Sequence, residues 1–232
     1  MKKIAVLISI ISFGLTGLSQ TIVMQNTNPM EPYNAKTKGE NRKHYNQGFI
    51  SFGVVTPIGA KNDDSYFGKS LVFDLGHRYR YRISNFVNIG SDLSFYMQGN
   101  RLDHSGMHKI YDGATHEREN IIQNEFRISP FIRFNLTPHR GNYLGTYIDF
   151  GGYIGWNFLP VFRAVDTGHN GNEEMAYTRS FDPNQNRYDY GVTGRIARNK
   201  HLLFATYRLS DIMKKSEQPS LPRLAVGIQF GF

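Results

Sequence analysis

The chain of 232 residues contains no cysteine. That excludes a disulfide framework and attachment of lipid through a cysteine, so any fold must be held by packing and hydrogen bonding alone. Long apolar runs are equally scarce. After residue 15 no stretch approaches the roughly 18–20 consecutive apolar residues that a transmembrane helix needs. A helical membrane protein is excluded, but a β-barrel is not, because strand alternation dilutes the hydropathy of each segment. Acidic residues are in the minority, 19 against 27 Lys and Arg, for a net charge of +8. A basic balance raises the question of nucleic acid. The basic residues sit in strand alternation rather than in one patch, and the chain opens with an export signal. Anionic lipid headgroups or protein partners are the expected counterpart, and nucleic acid is not.

Catalytic motifs are missing too. No phosphate-cradling glycine loop, zinc-protease helix or nucleophile elbow occurs. The stretch 101–119 carries Asp103, His104, Ser105, His108, His116 and Glu117. These are ingredients of an acyl hydrolase, and His104 and His108 could share a metal if the stretch were helical. Adjacency in a polar loop is not a triad, which is defined by geometry. The sequence therefore predicts no catalytic residue, no metal and no cofactor.

What the chain does have begins at its start. Lys2 and Lys3 precede an apolar run from Ile4 to Leu15, followed by Gly17 and Ser19. This has the form of a secretory signal peptide over residues 1–19. About 210 residues of the 232 remain, enough for one domain. Residues 20–46 are polar and rich in Asn, Lys and Gln. They are expected to be a poorly ordered periplasmic lead-in, with a lumen plug or a partner-binding tail as the other uses.

From residue 47 to 232 the hydrophobic pattern has period two, the signature of strands whose side chains alternate between faces. Eight strands are predicted, at about 47–56, 69–83, 86–98, 120–135, 143–158, 186–198, 201–210 and 221–232. The connections alternate between loops and turns. Short turns fall near Ser84-Asn85, 137–142 and Asn199-Lys200, and long polar loops near 99–119 and 159–185. That rhythm predicts an all-β, eight-stranded, antiparallel up-and-down transmembrane β-barrel with both termini periplasmic. In the last strand Leu224, Val226, Ile228, Phe230 and Phe232 share an apolar face, and Ala225, Gly227, Gln229 and Gly231 share the other. In the fifth strand Leu144 falls on the outward parity. Pro130 does so in the fourth, where its missing donor predicts a bulge or a skipped ladder bond.

The second strand fixes which face is inside. Leu71, Phe73, Leu75, Tyr79, Tyr81 and Ile83 alternate with Asp74, Gly76, Arg78, Arg80 and Arg82. An arginine against lipid costs roughly 2–4 kcal/mol near the midplane, so the arginines face the lumen. The same parity puts Arg127, Arg133, Arg187, Arg195 and Arg208 inside, with Asp74, Asp92, Glu125, Asp149 and Asp189. Buried charges must be paired, which predicts an ion-pair network in the lumen. The arginine excess leaves a narrow, anion-preferring path as the alternative. Outward aromatics at the strand ends (Tyr79, Tyr81, Phe134, Trp156, Phe158, Tyr188 and Tyr207) fit interfacial girdles. His77 falls on the lipid side near mid-strand. Either a bulge at Gly76 turns it inward, or it marks a partner contact within the membrane.

The chain resembles the small outer-membrane β-barrel proteins of Bacteroidota, of OmpA-type and PorT-type plan. The resemblance rests on the leader through Ser19 with Gln20 after it, on the run Phe73, Asp74, Leu75, Gly76, His77, Arg78, Tyr79, Arg80, Tyr81 and Arg82, and on the ending from Val226 to Phe232. It implies that Leu224, Val226, Ile228, Phe230 and Phe232 serve as the signal read by the barrel-assembly machinery. It also implies an outer-membrane location in contact with lipid and protein partners. The expected function is a non-enzymatic barrel, structural or accessory to a larger secretion or barrel-assembly complex, binding through its outer loops or wall. A small passive channel and a lipid-modifying enzyme are the alternatives.

Overall fold

The computed structural model describes residues 40, 42–58, 70–103, 118–137, 144–167, 173–214 and 221–232. The chain divides into two compact units, Met1–Lys36 and Thr37–Phe232. The expected signal segment 1–19 and residues 20–39 and 41 of the lead-in lie outside the described residues, as do residues 104–117.

Among the described residues there are ten strands: β1 His44–Thr56, β2 Leu71–Arg82, β3 Val87–Asp103, β4 Arg118–Asn135, β5 Thr146–Asn157, β6 Val161–Thr167, β7 Glu173–Ser180, β8 Tyr188–Arg198, β9 His201–Arg208 and β10 Leu224–Gly231. Eight of them close into a ring. Each of β1 to β4 pairs antiparallel with the next, β5 pairs with β8, β8 with β9, β9 with β10, and β10 with β1. The closing register runs from Phe49 opposite Gly231 to Thr56 opposite Leu224. It ends in a backbone pair between Gly48 and Phe232, at 2.9 and 3.2 Å. A Cβ on Gly48 would stand 2.5 Å from the Phe232 ring, so glycine is what lets that ring lie across the seam.

The remaining two strands correct the expected loop at 159–185. They form a hairpin, β6–β7, laid along the outer part of β4 from Arg118 opposite Val165 to Ile122 opposite Val161. Its stability comes from burial rather than pattern. Phe162 and Ala164 are fully buried against Ile121, Ile212, Met213 and Leu221. The β3–β4 hairpin is also longer than its apolar pattern suggested, pairing out to Asp103 opposite Arg118. The barrel thus has a turn end, carrying three short connections and Phe232, and a loop end where β3, β4, β6 and β7 extend the wall.

At the turn end, Ser84 Oγ accepts from the Phe86 and Val87 amides, and Asn199 takes φ 56° in the β8–β9 turn. Leu144 was expected to face out and is instead buried with Tyr45, Tyr147, Ala197 and Leu202. Gly145, at φ 70°, turns the chain between Leu144 and the start of β5, so strand parity does not extend to Leu144. Pro130 interrupts one ladder. The β4–β5 pairing passes from Ile128–Ile154 to Phe131–Gly151 without it, while the β3 side is continuous.

Polarity is inverted. Leu93, Ile128, Phe150, Ile154 and Leu203 stand exposed on the outer surface, while Arg78, Arg80, Asp92, Glu125, Arg133 and Asp149 are buried inside. A belt of aliphatic side chains this extensive is untenable in water. A closed ring leaves no backbone edge unsatisfied in hydrocarbon. The fold is a membrane-spanning eight-stranded antiparallel barrel.

Candidate functional site

The lumen is built in layers by the inward row of each strand. Glycine makes the first layer possible. A Cβ on Gly76 would come 2.7 Å from the Phe49 ring, and one on Gly90 2.5 Å from the Phe131 ring. With both absent, the two rings lie inside and flank the Arg78 guanidinium, with centroids 5.3 and 5.2 Å away. Arg78 reaches Asp92 through two parallel bonds of 2.7 and 2.8 Å. Arg195 meets the same carboxylate at 2.7 Å and Asp149 at 4.0 Å. Arg133 forks onto Asp149 at 2.7 and 2.9 Å. Arg78, Asp92, Arg195, Asp149 and Arg133 therefore form one continuous chain across the barrel from β2 to β8. Bidentate geometry of this kind fixes both charges and their orientation.

A second layer lies toward the loop end. Arg127 binds Glu125 at 2.9 Å and Asp189 at 3.0 Å. Its guanidinium is stacked between Tyr96 and Tyr153, 3.3 and 3.9 Å from the ring centroids. Tyr153 and Ser210 donate hydroxyl hydrogen bonds to Asp189. Between the layers is a cavity of about 20 Å³ lined by Asp74, Tyr96, Arg127, Tyr153, Arg195 and Gln229. That is room for about one water molecule, not a path for hydrated ions. Asp74 Oδ1 is buried without a partner.

Three further arginines of the expected network, Arg80, Arg187 and Arg208, bond to backbone carbonyls. Arg80 donates to the Glu40 carbonyl and lies over the Tyr45 ring. Arg208 donates to the carbonyls of Leu221 and Pro222. Arg187 donates to that of Phe158. Arg82 sits at the end of β2, half-buried. Sequence patterning missed Glu119, which was placed at the end of a loop and is fully buried on β4. With it, the buried charges among the described residues are five arginines (Arg78, Arg80, Arg127, Arg133 and Arg208) and six carboxylates (Asp92, Glu119, Glu125, Asp149, Asp182 and Asp189). The arginine excess that favoured an anion path is absent from this set.

Above the barrel the loop end is an ordered cap. Asp182 and Gln185 are buried, and Gln185 Nε2 donates to Asp182 and to the Val161 carbonyl. Asn186 and Lys214 exchange backbone bonds with Ile212 and Asn184, pinning the 182–186 segment to 212–214. Nothing in the alternation of these residues announces the cap, because it is made by polar side chains bonding to backbone.

His77 faces outward. The β1–β2 and β2–β3 registers run through it without a shift, opposite Gly48 and Leu93, so the bulge at Gly76 does not exist. Gly76 is glycine for space inside, not for a kink. Leu224, Val226, Ile228, Phe230 and Phe232, the residues expected to form an assembly signal, lie on the outward row of the closing strand and its end. Of the aromatic girdle, Tyr79 and Phe134 stand exposed near the turn end and Trp156 and Tyr188 near the loop end, the latter two opposite one another. His104, Ser105, His108, His116 and Glu117 lie outside the described residues. Among the described residues no group of three His, Cys, Asp or Glu side chains is placed to hold a metal.

No protein-family model matches this chain, and no curated protein matches it. Among solved structures it is similar to Ail, the attachment invasion locus protein of Yersinia pestis, at 14% identity, with a TM-score of 0.35 over 82% of this chain and 99% of that one. A second structure of Ail, in complex with the heparin analogue sucrose octasulfate, gives 14% identity and a TM-score of 0.32, over 81% and 95%.

Proposed function

We propose that this chain is a non-enzymatic outer-membrane barrel, structural or accessory to a larger outer-membrane complex, with its turn end toward the periplasm and its loop end outside. The observation that carries this reading is the contrast between a filled lumen and an extended loop end. Charged side chains bond to one another across the interior, which leaves transport without a route. The β3–β4 and β6–β7 hairpins continue the wall past the barrel ring as a sheet, stiffened by a buried apolar cluster. Rigid, exposed sheet beyond a membrane is suited to holding a partner. The resemblance to small Bacteroidota barrels supports the same assignment, and secretion and barrel-assembly machines are the complexes it suggests. Insertion by the barrel-assembly machinery would use the apolar face of β10.

The test is extraction of the native protein in mild detergent, followed by mass and composition of the particle. The proposal expects stoichiometric partners that dissociate when the β6–β7 hairpin is replaced by a short turn. A particle of one chain and detergent alone would sink it.

A further inference from the structure

The outer wall carries a feature that the apolar belt does not require. Ser91 and Pro130 stand directly opposite each other on β3 and β4, facing lipid. One step toward the loop end is the taller pair Leu93–Ile128, and one step toward the turn end is Ile89–Ile132. The short pair opens a depression of about 570 Å³, bordered by Tyr79 and Tyr81 on β2, by Ile89 and Ile132 on the turn-end side and by Phe150 on β5. Pro130, which has no amide hydrogen to donate, is left out of the β5 ladder at this point. The lining is apolar, as an acyl chain requires.

The same two tyrosines have a second, polar side. His44 Nδ1 lies 2.8 Å from the Tyr79 hydroxyl, and its ring stands edge-on to Tyr81 at 5.3 Å. The Lys43 ammonium sits over the Tyr81 ring, 5.4 Å from its centroid. All of this is at the turn end, where β1 and β2 leave the belt. Phenol, imidazole and ammonium groups thus line the rim from which the groove descends.

We propose that this groove and its rim bind one anionic phospholipid, with an acyl chain in the depression over Ser91 and Pro130 and the phosphate at Lys43, His44 and the Tyr79 hydroxyl. Charge decides the headgroup. The Lys43 ammonium offers a phosphate positive charge and donors, and the imidazole and phenol beside it offer polar contacts. A choline group needs a free aromatic face, and the face of Tyr81 is already occupied by Lys43. The inference rests on the membrane-spanning fold, not on the accessory role, so either can fail without the other.

The experiment is native mass spectrometry of the full chain purified from membranes and stripped of lipid. Phosphatidylglycerol or phosphatidylcholine is then added back at equal concentration. The site predicts one retained phosphatidylglycerol per barrel, favoured about fivefold over phosphatidylcholine, the size of effect that one cation near an anionic surface supplies. Lys43→Gln abolishes the preference while leaving the barrel folded by electrophoretic mobility. Ser91→Phe fills the depression and removes retention of both lipids, whereas Val192→Phe, on the far side of β5, removes neither. Equal retention of the two lipids by the unaltered protein overturns the headgroup assignment. Unchanged retention in Ser91→Phe overturns the groove, as does a particle of two chains that excludes lipid.

Discussion

Asp92 and Leu93 are neighbours in the chain and live in different solvents. Asp92 is 1% exposed and holds two guanidiniums, while Leu93 is 60% exposed on the outer face. The difference teaches how one strand can satisfy both. On the inner face the driving term is pairing, because an unmatched charge in a small closed lumen has nowhere to go. On the outer face it is solvation by hydrocarbon, where shape matters little and charge matters a great deal. The two faces should therefore fail in different ways when altered.

The largest effect belongs inside. Asp92→Ala leaves Arg78 without its carboxylate and Arg195 with only a distant one, and should cost about 3–5 kcal/mol. The urea midpoint of the folded, unheated electrophoretic band in vesicles measures it. Next is the same strand read outward. Leu93→Arg should lose about 2–4 kcal/mol in that assay, while Leu93→Phe should stay within about 0.5 kcal/mol, as exposed positions usually do. A loss for Leu93→Phe as large as for Leu93→Arg would mean that this face is packed against protein rather than lipid.

A third change sharpens the role of interior space. Gly90→Val would place methyl groups in the Phe131 ring and is expected to cost about 1–3 kcal/mol by overpacking. The smallest effect is at the loop end. Arg223 pairs with Asp211, which is largely exposed, and with the Leu209 carbonyl at 2.9 Å. Arg223→Ala should change stability by less than about 1 kcal/mol, which calibrates the interior values against an ion pair in water.

Where two solvents disagree sharply, the sequence is easy to read. β2 and β10 show their faces residue by residue, because apolar and polar side chains alternate without interruption. The barrel, its ring of eight strands and its turn end followed from that. Beyond the membrane the contrast fades and so does the signal. Gln98 and Asn100 are inward and Gly99 is outward, so β3 continues to Asp103 with no apolar face to mark it. β7 carries Glu173, Glu174 and Arg179 and reads as loop, yet it pairs with β6 by backbone. Glu119 was lost for the same reason. Tyr45, assigned to a polar lead-in, is buried against Tyr147 inside the ring. Glycines misled in one place. Gly76 suggested a bulge by its flexibility, whereas its lack of a side chain is used to seat Phe49.

A lumen filled with paired charges should not conduct, and ion conductance measures this. Purified protein in a planar bilayer should show no steady current at moderate voltage, and Asp92→Ala should show at most brief, irregular openings. A stable ohmic channel in the unaltered protein, above all one preferring anions, would contradict the account and restore the arginine-lined path as the protein's purpose.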